Sequence, residues 1–435
     1  MRGGLSKART REVLLHFLSG CGECWASLRS SMPLGFGVRA SLPTKEEEDA
    51  YDEPIDRAFA KILGQERNLD RERQRTGEIL EWLAVEGAAE LSQIPSGLAG
   101  FALYEGLLER SWALRHENPA AMVRLAKVAT LVAARLEARR YGRRRRADFQ
   151  ARAWGELANA CRVADELDEA GEAFERAFKY LARGTGDEWL QARLYDLQAS
   201  YFGTRRWFVL ALGALDVVHD IHQRRGDDHL AGRALISKGI YTGYQGNPRE
   251  AIALFQQGLS RIDEEADPEL VFAARYNQAF CQLECGQLRE ARTTLWPLLR
   301  ARGELGRVNQ LKALWVKGRI DLGLGELERA EQALVESKTG FEAAGLGFAA
   351  ALVSLELSLV WLRQNRPEQA WELVKEARKV FQGLQVHREV LAAVMILQRS
   401  IQLGKATLGL VESVVQFARQ AQVHLDPDAR FVPRF

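Results

Sequence analysis

Alanine recurs along this chain at a nearly constant interval. Ala170, Ala211, Ala251, Ala291, Ala330 and Ala370 are separated by 41, 40, 40, 39 and 40 residues. Four residues after each stands Phe174, Leu215, Phe255, Leu295, Leu334 and Val374, and seven after stands Ala177, Val218, Gly258, Leu298, Ser337 and Ala377. Positions i, i+4 and i+7 share one face of an α-helix, so every alanine marks a helix with an apolar stripe. Twelve residues before each lies a small residue (Ala158, Ala199, Gly239, Ala279, Gly318, Ser358), and five before lies Asp165, Arg206, Gly246, Gly286, Gly325 or Asn365, mostly turn formers. A fixed period of this length is the mark of stacked supersecondary units. Without it, 435 residues would suggest about two to four separate globular domains.

The columns describe a helical hairpin repeated six times. A first helix carries the small residue, where a neighbour can approach closely; a tight turn follows; a second helix presents its alanine and large apolar residues to the first. Pro248 and Pro367 fall three residues before the marker alanine, in the first turn of the second helix, where a missing N–H costs nothing. Composition agrees: 11 prolines and an abundance of Ala, Leu, Arg and Glu exclude an all-β fold. The pattern resembles the tetratricopeptide repeat, whose consensus has a small residue, a turn and then A-x3-F-x2-A, as in Ala170-Phe174-Ala177 and, with glycine last, Ala251-Phe255-Gly258. That resemblance implies an all-α, right-handed superhelical solenoid. The family's usual period is about 34 residues, so roughly six extra residues per unit lengthen helices or loops. Asp263 to Pro268 reads as such a loop.

Six regular units occupy 146–385. Within 57–145, a helical region, residues 97–140 read as a divergent first hairpin: Leu103, Leu107, Trp112 and Leu114 on one helix, a turn at Asn118-Pro119, then Ala121, Leu125 and Val128. Its alanine sits 49 residues before Ala170, so this unit carries an insertion. Residues 386–435 read as two capping helices, broken at Gly404-Lys405, and a tail. Residues 45–56 hold seven acidic residues and one lysine, a solvated linker behind an N-terminal segment, 1–44.

That segment contains His16-x4-Cys21-x2-Cys24. A Cys-x2-Cys pair brings two thiolates to one tetrahedral ion, and an upstream histidine supplies a third ligand. The motif resembles the zinc signature of bacterial anti-sigma factor domains, His-x3-Cys-x2-Cys; zinc is the cofactor it implies, although the His–Cys gap is one residue longer and no Cys or His upstream offers a fourth ligand. Five cysteines in all are too few and too uneven for a disulfide framework, and the apolar stretch from Val13 to Leu18, interrupted by His16, is too short for a signal-peptide core. No run of about 18 apolar residues exists. The expected setting is cytoplasmic, away from membranes.

A net charge of +2 gives no global pull toward nucleic acid, so partners are sought in local patches. Arg135 to Arg152 holds eight arginines against Glu137 and Asp148, centred on Arg139–Arg146; such a run could neutralise phosphates and makes nucleic acid the rival partner, as part of a zinc- or thiol-responsive transcription regulator. Eighteen residues before the marker alanines stand Arg152, Arg193, Arg233, Ala273, Lys312 and Leu352. The resemblance places this part of the first helix on the concave groove, where peptides are held. A cation near a helix N-terminus opposes the macrodipole, so four of six call for an acidic peptide or terminal carboxylate as counterpart. With Asn159 deeper along the first helix and Tyr276 and Trp315 further along, the groove is expected to be basic in its first half and more apolar in its second. His219, His222, Asp227, Asp228 and His229 have a metal-like composition but fall where polar residues belong, and Cys281 and Cys285 read as packing residues. No P-loop, Gly-x-Ser-x-Gly or His-Glu-x2-His motif occurs. The sequence thus predicts a non-enzymatic protein- or peptide-binding scaffold of the bacterial regulatory-adaptor kind.

Overall fold

The computed structural model describes residues 100–300, 306–383, 388–402 and 404–421, together with Gly77, Ile79 and Leu80. These belong to the unit that begins at Glu72. The zinc-motif residues His16, Cys21 and Cys24 and the acidic stretch 45–56 lie outside the described residues.

Every described element is a helix. The divergent hairpin is α1 (Phe101–Ala113) and α2 (Pro119–Arg135), followed by a single turn, α3 (Ala138–Tyr141). Six regular hairpins follow: α4 (Arg143–Val163) with α5 (Leu167–Leu181), α6 (Glu188–Thr204) with α7 (Phe208–Arg225), and α8 (Asp228–Tyr244) with α9 (Pro248–Leu259). Then come α10 (Pro268–Glu284) with α11 (Leu288–Arg300), α12 (Arg307–Gly323) with α13 (Leu327–Ala343), and α14 (Gly347–Arg363) with α15 (Pro367–Gly383). The last pair is α16 (Arg388–Gln402) and α17 (Leu408–Ala421). The extra residues of the long period go mainly into the helices: five of the six regular first helices span 17 residues. The shortest regular helix among the described residues is α9, at 12 residues, and the chain from Ser260 to Asp267 follows it as the loop expected there.

One turn, made six times, closes the regular hairpins. Asp165, Arg206, Gly246, Gly286, Gly325 and Asn365 all have positive φ, between 59° and 88°. The residue after each donates its N–H five residues back, as Glu166 does to Cys161 O at 2.8 Å and Arg366 to Trp361 O at 2.8 Å. The left-handed residue itself donates to a nearer carbonyl, as Asp165 does to Arg162 O at 3.2 Å. These two bonds are the Schellman ending, which satisfies carbonyls that a helix C-terminus leaves open. The next residue then starts the second helix, and its carbonyl accepts from the marker alanine, as Glu166 O does from Ala170 N at 3.0 Å. The marker alanine therefore sits one turn into the second helix because the turn fixes it there.

All six marker alanines are 0% exposed. The small-residue column is buried throughout, and Gly239 shows why: a Cβ there would lie 2.8 Å from the Phe255 ring of its own hairpin. Successive first helices touch directly (α1 with α4, α4 with α6, α8 with α10, α10 with α12, α12 with α14), whereas second helices pack chiefly on their own first helix and the next one. The first helices thus form the inner, concave layer. In the divergent hairpin Asn118 caps α2 by accepting from Ala121 N at 3.0 Å. Trp112 departs from its expected place on the apolar stripe: it is 39% exposed, with the Arg115 and Arg193 guanidinium groups 4.7 Å and 5.3 Å from its ring.

Candidate functional site

The column eighteen residues before the marker alanines lies on the inner layer, and the structure treats its cations unequally. Arg152 donates to Glu105 at 2.8 Å, from α4 to α1. Arg193 makes a two-pronged contact with Glu156 at 3.0 and 3.2 Å, from α6 to α4. Each pair bridges successive first helices, so these two positive charges are matched within the solenoid. Arg233 on α8 and Lys312 on α12 are exposed and have no ion-pair partner among the described residues. Within this column the unmatched positive charge is carried by these two.

Arg193 and Arg233 line a cavity of about 160 Å³ between α6, α7 and α8, together with Trp189, Asp196 and His222. His222 is buried, and its Nδ1 has no hydrogen-bond partner. Its ring lies 5.4 Å from that of Trp189, and Arg225 stands over Trp189 at 4.8 Å. A buried polar atom without a partner is costly, so the site has unspent hydrogen-bonding capacity. Burial pushes the His222 pKa below the ordinary 6.5; Asp227 and Asp196 oppose the shift, Arg225 and His219 reinforce it. The unfolded chain takes up a proton here as the pH falls through about 6.5, before the folded chain does. Stability at this residue is therefore lost on acidification below that point, until the folded pKa is also passed. A His222→Gln variant should lose less of its urea midpoint between about pH 7 and pH 5 than the parent; an equal loss would disprove the assignment.

Asn159 is buried on α4, accepting from Arg162 Nε at 3.2 Å and Nη2 at 2.9 Å, while its own Nδ2 lacks a partner. Burial lowers the Arg162 pKa, with nearby Tyr241 acting in the opposite sense. Further along, Tyr276 stacks on Phe272 at 5.7 Å. Trp315 donates Nε1 to Glu356 and packs edge-on against Phe341. Glu356 also stands 3.6 Å from Arg319, which lies 4.7 Å over the Phe280 ring. The second half of the face thus rests on a charge pair between buried Glu356 and half-buried Arg319. Spacing alone missed Glu105, Glu156 and Arg319, whose partners sit 37 to 47 residues away on a different helix, and it gave no sign that Trp189, Asp196 and His222 share a cavity.

The arginine run straddles a break. Arg139 and Arg140 belong to α3, Gly142 turns the chain at φ 84°, and Arg143 to Arg146 form the first turn of α4, without an acidic residue or a side-chain cap. Four cations there oppose the helix dipole. Arg143→Glu and Arg144→Glu should each stabilise the chain by about 0.3–1 kcal/mol at low salt, less as salt screens them; a lowered melting temperature would contradict this. The histidines near α7 disperse: His219 faces Asp220, and His229 Nδ1 accepts from Asp263 N at 3.0 Å. Among the described residues no three His, Cys, Asp or Glu converge as a metal site. Cys281 is buried, and burial raises its pKa to about 12, helped by Glu284 and Cys285, which suits packing.

No family model matches this chain, and no curated protein does. Solved structures do match. A Rap protein complexed with Competence and Sporulation Factor is 14% identical, with 74% of this chain and 87% of that one covered and a TM-score of 0.51. The apo form of RapI is 11% identical over 74% and 97% of the two chains, with a TM-score of 0.51. Aspartyl phosphate phosphatase F from Bacillus subtilis is 13% identical over 84% and 97%, with a TM-score of 0.50. At such identity the likeness establishes the fold, an all-α solenoid of tetratricopeptide-like hairpins. No helix among the described residues is long and apolar enough to cross a membrane.

Proposed function

We propose that this chain is a protein-binding regulatory adaptor whose inner face captures an extended, acidic segment of a partner. The carrying observation is the cavity between α6, α7 and α8: an exposed, unmatched Arg233 stands beside a buried His222 Nδ1 with no partner and beside Asp196. An extended peptide offers both halves of what this set can bind, a carboxylate for Arg233 and backbone N–H groups for Asp196 and His222. Arg152 and Arg193 shape the face and hold successive helices together through Glu105 and Glu156, and Lys312 adds a second free cation further along. The regulatory reading takes support from the Rap protein that shares this fold and is complexed with Competence and Sporulation Factor.

Selection from a random peptide display library against the whole chain tests this. Enriched peptides should carry Asp, Glu or a free C-terminal carboxylate. Arg233→Glu should weaken them at least about tenfold, since a charge-assisted hydrogen bond contributes about 1.5–3 kcal/mol, without lowering the melting temperature. Peptides with no acidic bias, or bound equally by the variant, would rule the reading out.

A further inference from the structure

The second regular hairpin breaks the pattern of the other five at its turn. Two and one residues before the marker alanine the others carry Asp168-Glu169, Arg249-Glu250, Arg289-Glu290, Glu328-Arg329 and Glu368-Gln369, whereas the second carries Val209-Leu210. These two are 74% and 52% exposed. The residue that starts the second helix is polar in the other five (Glu166, Asn247, Gln287, Glu326, Arg366) but is Trp207 here, 47% exposed, and Tyr244 beside the patch is 52% exposed. The left-handed position is Gly, Asp or Asn in the others, residues that tolerate it; here it is Arg206, at φ 59°, with its guanidinium 5.6 Å over the Phe208 ring. Three departures from local preference in one turn mark a functional surface, and a contiguous exposed apolar patch marks an interface.

Next to this knob, across Trp207, lies a groove of about 530 Å³ between α5 and α6, lined by Phe174, Phe178, Tyr195, Phe202 and Trp207, with Glu175 among its lining residues. The groove exists because α5 and α6 pack more loosely than the corresponding pairs α7 with α8, α9 with α10 and α13 with α14. Knob and groove thus adjoin on one surface, with Arg206 beside the knob and Glu175 beside the groove. A two-fold axis requires this arrangement, in which each patch meets its complement on the other copy.

We infer that this turn edge binds a second copy of the chain about a two-fold axis near Trp207. Val209 and Leu210 of each copy fill the aromatic groove of the other, and Arg206 of each faces Glu175 of the other. The surface lies on the turn edge and involves neither Arg233 nor His222, so it is independent of the partner-binding face.

Sedimentation equilibrium of the full chain tests the inference. The parent should show twice the 48.8 kDa chain mass at about 10–100 µM, the range for a standard-size interface of modest affinity. Val209→Asp with Leu210→Asp should raise the dissociation constant about 100-fold or more, as loss of central apolar anchors does, with the helical circular dichroism unchanged. Glu175→Arg and Arg206→Glu should each weaken the dimer, and the two together should restore it, because the swap rebuilds both cross-axis pairs. A monomeric parent at about 100 µM, a dimer that survives Val209→Asp with Leu210→Asp, or a double charge swap no tighter than either single variant would each overturn it. A monomer would also leave the patch to a different partner.

Discussion

Glu356→Ala should lower the unfolding free energy by about 3–5 kcal/mol, the cost of leaving a buried charge without its counterpart. Glu356 is buried on α14, accepts from Trp315 Nε1, and stands 3.6 Å from Arg319. Removing the carboxylate takes from the guanidinium over Phe280 one of its two acidic neighbours, Glu284 being the other, and leaves a half-buried indole N–H without its acceptor. Burial already pushes the Arg319 pKa down to about 10, with Glu284 and Tyr276 working against it, so the charged form is held there at a cost. The variant should unfold at a markedly lower urea concentration. Arg319→Met combined with Glu356→Leu separates a broken pair from a merely disturbed helix. Replacing both members by apolar side chains of similar size is often neutral or stabilising, so the double variant should recover most of the loss. If it is no more stable than Glu356→Ala alone, the charge pair is not the cause. The coupling between the two sites is read from the double-mutant cycle.

The fold is legible in the sequence because every hairpin answers the same local constraints. The left-handed turn requires a residue such as Gly246 or Asn365, the marker alanine follows at a distance set by the Schellman bonds, and the small-residue column follows from the approach of the two helices. Each constraint repeats about every 40 residues, so each leaves a column. The last hairpin, legible as two helices broken at Gly404-Lys405, stays out of the columns for a definite reason. Its turn is of the same kind, with Gly404 at φ 68° and Lys405 N donating to Ser400 O at 2.9 Å. At the marker, +4 and +7 positions it has Gly409, Ser413 and Gln416, while the buried residues are Leu410, Val411, Val414, Val415 and Ala418. The stripe is displaced by one residue, and a column search passes over it.

The site is less legible, because function uses the departures from the repeat. Periodicity placed Arg152, Arg193, Arg233 and Lys312 on one face, but it could not say which were matched. Glu105 lies 47 residues before Arg152, and Glu156 lies 37 before Arg193. Nor could it place His222 in a cavity, since a histidine near the end of a second helix looks like any polar terminus. Val209-Leu210 interrupts a column that is polar in the other hairpins, yet only exposure and the neighbouring groove give that interruption a meaning.

Gly258→Ala should destabilise the chain by about 2–3 kcal/mol, toward the upper end of the usual cost of overpacking a close contact. Gly258 on α9 and Gly232 on α8 face each other where the two helices of the third hairpin approach most closely. A Cβ on Gly258 would lie 2.6 Å from Ile236 and 2.9 Å from the Gly232 carbonyl oxygen; one on Gly232 would lie 2.8 Å from the Gly258 carbonyl oxygen. Two of these three obstacles are backbone, so no rotamer change relieves them and the helices must move apart. Gly213 is the control. It lies inside α7, exposed, with nothing within 4 Å of an added Cβ, and Gly213→Ala should gain up to about 1 kcal/mol from helix propensity alone. Opposite shifts of the urea midpoint for one and the same chemical change would establish that the glycine at 258 serves the helix crossing. Equal shifts would mean that the two helices of this hairpin tolerate a wider separation than their backbones show.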